Sequence, residues 1–164
     1  MTFPLIAFRQ PAGAEDGRET FGFVADRDHL QRARRREIRT GAMLGMVLID
    51  SGGAAWRIQA LKISRRHTPF WRCVLMTVFP QWDDIEYEVD LSLERLPGVP
   101  YSEVQARVCR SIDQNPADWI DDEAIAGEAG PPVTLDYLME TAKSAVRRST
   151  DIETMRIAIH AALP

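Results

Sequence analysis

The chain has 164 residues, 45% hydrophobic, 27% charged and 8% aromatic, with a formal net charge of −4 and a pI of about 5.4. That balance excludes collagen-like, coiled-coil and wholly disordered chains, and it argues against a general nucleic-acid binder. A single domain over residues 1–164 buries roughly 68–70% of its unfolded surface at this size, so it needs neither disulfides nor metal to fold.

Met1 to Arg9 carries no basic leader, and the longest apolar run, Ala42 to Ile49, is eight residues against the ~20 that span a bilayer. A cytoplasmic location without membrane contact is expected. Phe3–Phe8 and Thr20–Val24 read as short strands around a Gly/Glu/Asp-rich loop from Pro11 to Arg18. Asp26 is placed to cap a surface helix over Arg27–Arg39, whose apolar positions are only Leu30, Ala33 and Ile38, with Gly41 as its stop. Met43–Asp50 is a strand, Ser51-Gly52-Gly53 a tight turn, and Ala54–Ile63 a second strand. Its apolar face holds Trp56, Ile58 and Ala60, but the phase breaks after Ala60, which predicts a bulge or bend. Phe70–Phe79 is apolar on both faces, as in a central strand.

The clearest alternation follows. Ile85, Tyr87, Val89, Leu91 and Leu93 take one face; Glu86, Glu88, Asp90, Ser92 and Glu94 take the other. These strands form an antiparallel β-meander of about four strands, with the acidic strand last. The basic N-terminal segment and the meander occupy 1–96, and a helical part occupies 101–164. Ser102 and Gln105 have the form of a capping box before Val104, Val108, Cys109 and Ile112. Asn115-Pro116 suits an N-cap and first helical residue for a short helix with Trp119 and Ile120. Thr134 opens a helix with Leu138, Met139, Ala142, Ala145 and Val146 in register. Thr150 to Glu153 forms a second capping box before Ile152, Met155, Ile159 and Leu163. Strands first and helices after define an α+β fold, with the helices packed on one sheet face.

Few residues form patterns with catalytic chemistry. Asp50-Ser51-Gly52 after a hydrophobic strand has the form of an aspartic-protease loop, but the chain has one such loop where two carboxylates must share a proton. Asp-Ser-Gly-Gly also matches a chymotrypsin-like nucleophile loop, for which there is no room for two barrels. The simpler reading is a hairpin turn whose main chain needs Asp50 and the glycines. His29, His67 and His160 are scattered, and no C-x-x-C, G-x-G-x-x-G or G-x-x-x-x-G-K-[ST] occurs. No metal and no cofactor are expected. Cys73 and Cys109 read as buried reduced thiols.

The charges are segregated. Arg27 to Arg72 holds eleven bases and three acids, a net of +8; Asp83 to Asp136 holds fourteen acids and three bases, a net of −11. Glu86, Glu88 and Asp90 lie along one strand face at about 6.5–7 Å spacing, too wide for a single divalent ion without help from loops. Together with Asp121, Asp122 and Glu123 they are the candidate surface for a basic partner. The Arg-rich stretch from 27 to 39 has three readings: a solvated helix, a phosphate- or acid-binding stripe, or an intramolecular mate for the acidic strand or for the Asp121-Asp122-Glu123 cluster.

The run from Met46 through Asp50 and Trp56 to Ile58, after an Arg-rich segment, resembles a strand–turn–strand of small uncharacterised proteobacterial proteins. The α+β layout with an acidic face is similar to that of small bacterial immunity proteins. That resemblance implies a protein that binds and neutralises a cognate toxin; it assigns no binding residues. The expected function is a non-catalytic protein-binding module, immunity-like or regulatory, that meets a basic-surfaced protein through its acidic face. A homodimer, a structural subunit of an assembly, and a small enzyme with a dispersed site for a phosphorylated or acidic substrate stay open.

Overall fold

The computed structural model describes residues 1–10, 18–66, 85–116 and 134–162. Six strands form one antiparallel sheet: β1 (Leu5–Arg9), β2 (Thr20–Val24), β3 (Arg32–Arg34), β4 (Val47–Asp50), β5 (Ala55–Arg66) and β6 (Glu86–Leu96), in the order β2-β1-β4-β5-β6-β3. Two short helices, α1 (Arg27–Leu30) and α2 (Arg35–Thr40), flank β3. Three more follow the sheet: α3 (Tyr101–Gln114), α4 (Leu135–Arg148) and α5 (Ile152–Ala162). The α+β class and the helical layer on one face agree with the sequence.

The strand β1 explains the layering. Its residues Leu5 to Phe8 are all buried, because both faces of the sheet are covered. Ile6 and Phe8 point to the helices, where Val104, Val108, Ile112, Ala142, Val146, Met155 and Ile159 form one core. Leu5 and Ala7 point the other way, into a second core with Val24, Leu30, Ala33, Met43, Leu48, Ile58 and Val89. Among the described residues only the short helices α1 and α2 reach that side, through Leu30 and Ile38; the sheet curls over itself as a half-barrel. The chain forces the curl. Laid flat, β2 and β3 would stand about 24 Å apart across five gaps of ~4.8 Å, yet seven residues join them, and four of those are coiled into α1. Accordingly α1 touches both edge strands.

The structure corrects several expectations. The surface helix over 27–39 is three elements. Asp26 does cap its start, accepting from the His29 N–H at 2.7 Å, and Gly41 (φ +64°) does end it. Between them the chain leaves the helix at Gln31 and runs extended. Arg-Ala-Arg has a period of two, so Ala33 is buried opposite Tyr87 while Arg32 and Arg34 lie opposite Glu88 and Glu86. The sheet thus has six strands among the described residues rather than about four. The acidic strand is last in sequence but not at the edge: β3 lies outside it. The bulge is present, with the β5–β6 register shifting between Ile58 and Ala60 and again between Ile63 and Arg65. Val89 is buried as the alternation requires, with Tyr87 and Leu91 half-buried against the same core.

Neither capping box forms as written. The cap of α3 is Pro100, one residue before the helix starts at Tyr101. Gln105 instead donates to the carbonyls of Val146 and Ser149 at 2.9 and 3.0 Å, where the last turn of α4 lacks helical partners. At α5 the box is shifted by one: Asp151 Oδ1 accepts from the Thr154 N–H at 2.8 Å and Thr154 Oγ1 accepts from the Asp151 N–H at 3.0 Å. Glu153 pairs with Arg156. Asn115 ends α3, and its side chain donates to the Glu19 carbonyl at 2.7 Å. The Phe70–Phe79 strand, the Trp119–Ile120 helix, Cys73 and His67 lie outside the described residues. Among those described, no helix is long and apolar enough to cross a membrane.

Candidate functional site

The charged residues meet on the outer face of β5, β6 and β3. There β6 runs between two basic neighbours. On one side Glu94 faces Arg57, Asp90 faces Lys62 and Glu88 faces Arg65; on the other Glu88 faces Arg32 and Glu86 faces Arg34. The Arg57–Glu94 contact closes to 3.8 Å. The third reading of the arginines therefore describes the placement of Arg32 and Arg34: basic β3 and β5 flank acidic β6, so oppositely charged residues of these strands form adjacent columns. Glu88, Asp90, Arg32, Lys62 and Arg65 are exposed, and Glu86 is half-buried.

Of the acidic residues singled out from sequence, Glu86, Glu88 and Asp90 share this face; Asp121, Asp122 and Glu123 lie outside the described residues. Glu86 also lines a polar cleft of about 460 Å³ with Asp26, Asp28, His29, Arg34 and Glu37. The basic columns were not picked out by sequence as part of this site. Their signal was the period of two in Arg32-Ala33-Arg34 and the near-equal size of the two charge blocks, but neither reveals which strand lies beside which.

Opposite charges directly across neighbouring strands on an exposed face contribute roughly 0.2–1 kcal/mol per facing pair, without a closed ion pair being required. Replacing Glu86, Glu88 and Asp90 by Gln, Gln and Asn is therefore expected to lower stability by about 1–2 kcal/mol at low salt. Because exposed pairs are screened, most of that loss should vanish in 1 M NaCl. Urea titrations at both salts measure it. An equal loss at both would mean that packing, not charge, ties β6 to its neighbours.

The other reactive groups are held in the frame of the fold. Asp50 is buried at the β4–β5 turn. Its Oδ1 accepts from the Gly52 and Ala54 N–H groups, both at 3.0 Å, and its Oδ2 from the Thr2 N–H at 3.1 Å. Glu19, just before β2, is bound by α3: its carboxylate pairs with Arg107, and its carbonyl accepts from Ser111 Oγ at 2.6 Å and from Asn115. Lys143 is buried on α4 and bridges Asp113 at 2.7 Å and Glu140 at 2.5 Å. Cys109 is free and half-buried, and burial pushes its thiol up, so it stays protonated and weakly nucleophilic at neutral pH. His29 and His160 are exposed. Among the described residues no three His, Cys, Asp or Glu side chains gather as a metal site.

Two groups give the fold an alkaline limit. The Tyr101 hydroxyl contacts Ser149 Oγ and donates to the Asp151 carbonyl, both at 2.7 Å, and burial pushes its pKa above the ordinary 10.0. The Lys143 ammonium is raised above 10.5 by its hydrogen bonds to Asp113 and Glu140. Both hold their protons more tightly when folded. Their stabilisation is complete below the unfolded pKa values and is lost as pH rises through the folded ones. The urea midpoint should therefore be level up to about pH 9.5 and fall beyond it, and Tyr101→Phe should flatten the fall. A wild-type midpoint unchanged at pH 11 would refute this.

No family model, curated protein or solved structure matches the chain.

Proposed function

We propose that this chain is a non-catalytic protein-binding module, immunity-like or regulatory, whose contact face is the outer surface of β5, β6 and β3. The observation that carries this reading is the arrangement of that face. Three columns of alternating sign lie on the three-residue β3, the twelve-residue β5 and the eleven-residue β6, while α3, α4 and α5 pack mainly over β1, β2 and β4. The central column is acidic, so the partner is a protein that sets basic side chains along it. The basic columns on either side then repel a misaligned basic partner, which favours register over raw affinity. The non-catalytic part of the reading is supported by what occupies the titratable groups: Asp50, Glu19, Lys143 and Tyr101 each complete a turn, a cap or a helix contact.

The test is a binding experiment with the immobilised full chain. A partner retained at low salt should be released by salt, and its association should slow about tenfold or more with the Glu86→Gln, Glu88→Gln, Asp90→Asn variant, since steering charges act mainly on the encounter rate. Replacing Arg34, Arg35 and Arg36 by Gln should leave association as fast or faster. A partner bound equally well by the acidic variant, or turnover of a small molecule by the purified chain, would overturn the proposal.

A further inference from the structure

On the other side of the sheet, where the half-barrel fails to close between β2 and β3, lies a cavity of about 280 Å³ open to solvent on one side. We infer that it is a binding site for a compact amphipathic anion, a small apolar body ending in one carboxylate or phosphate. This site lies on the opposite side of the sheet from the charged outer face, shares Arg32 of β3 with it, and does not depend on its role.

Two small residues make the space. Ala7 and Gly22 are direct partners across β1 and β2, on the face that carries Leu5 and Val24 into the inner core. Gly22 is exposed, and a Cβ built on it meets nothing within 4 Å. Gly22 is not at a positive φ, so the backbone does not require glycine there. A glycine inside a strand weakens it and commonly marks close approach by a ligand or another backbone. Leu30 and Met43 supply further apolar wall.

Two cations stand at the rim. Arg9 is next on the same face after Leu5 and Ala7, opposite Thr20, and Arg32 reaches the cavity from β3. Neither has an ion pair or side-chain hydrogen bond among the described residues, whereas Arg107 and Arg156 are both paired with carboxylates. The one carboxylate in the lining, Glu37, is turned to the Arg34 N–H at 2.8 Å and does not neutralise them. His29 on α1 adds a further polar edge. An apolar floor with a few convergent polar groups is how small-molecule sites are built. Arginine's fork suits carboxylate and phosphate alike. The volume falls just under the ~300–1,000 Å³ of drug-sized sites, which selects a ligand smaller than a nucleotide.

Octanoate and octyl phosphate are the probes, with 1-octanol as the uncharged control, titrated into the full chain by calorimetry. One anion should bind saturably at 1:1 and at least tenfold tighter than octanol; whichever of the two is tighter identifies the anionic end. Gly22→Val should cut its affinity at least tenfold without lowering the melting temperature, because the two methyls enter empty space. Arg9→Gln with Arg32→Gln should cut anion affinity tenfold and leave octanol unchanged. If Gly22→Val does not fold, Gly22→Ala and amide NMR of the wild type decide the matter. Shifts on binding should centre on Ala7 and Gly22, and shifts elsewhere overturn the site. No saturable binding of either anion, affinity unchanged in a folded Gly22→Val, or octanol binding as tightly as the anions would each overturn it.

Discussion

Phe8→Ala is expected to lower the unfolding free energy by about 3–5 kcal/mol, the usual cost of truncating a buried phenylalanine to alanine. Phe8 is 1% exposed and sits where three elements converge. It belongs to β1, which is hydrogen-bonded to β2 on one side and β4 on the other. Its ring meets Phe21 at a centroid distance of 6.4 Å, and the Arg107 guanidinium of α3 lies 4.2 Å above it. Truncation therefore opens a cavity and also removes the surface on which Arg107 rests while that arginine holds Glu19. Phe8→Leu keeps most of the volume and should cost less than half as much. Urea unfolding with an unchanged m-value measures both. A loss under about 1 kcal/mol for Phe8→Ala would mean that the helical layer is not anchored through β1.

Asp50→Ala should cost about 3–4 kcal/mol, given roughly 1.5–3 kcal/mol for each hydrogen bond to a charged group and partial access of water to the Thr2 end. The buried side chain accepts from three main-chain N–H groups, those of Thr2, Gly52 and Ala54, beside a turn whose tip at Ser51 and Gly52 is exposed. The same turn is tied onward. Gly53 has φ +78°, its carbonyl accepts from the Val99 N–H at 2.8 Å, and a Cβ there would lie 2.7 Å from the Val99 carbonyl oxygen. Val99 leads directly into α3, so loosening this turn loosens the approach of the first helix to the sheet. Asp50→Asn keeps one carbonyl oxygen for Gly52 and Ala54 but turns an N–H₂ toward Thr2, so it should cost nearer 1 kcal/mol. If Asp50→Ala left stability intact, the carboxylate would be free for chemistry and the protease-like form of Asp50-Ser51-Gly52 would need a different explanation.

Features that depend on neighbours along the chain are legible in the order of residues. Alternation from Ile85 to Leu93 announced β6, the lost phase after Ala60 announced the bulge, and Asp26, Gly41 and Thr134 marked helix ends where the structure has them. Each is a local rule, because side-chain periodicity and the needs of orphan N–H and C=O groups are set within a few residues. Features that depend on pairing at long range emerge only in the folded chain. Arg32 to Arg34 leaves a helix-like stretch because β6 offers Glu86 and Glu88 as cross-strand mates some fifty residues away. Ser102 and Gln105 do not close a capping box, because the open carbonyls of α4 offer Gln105 a bond that helix propensity along α3 does not reveal. The opposition of Ala7 and Gly22 was likewise invisible: each is an ordinary small residue in sequence, and only antiparallel pairing brings the two missing side chains together into one hollow.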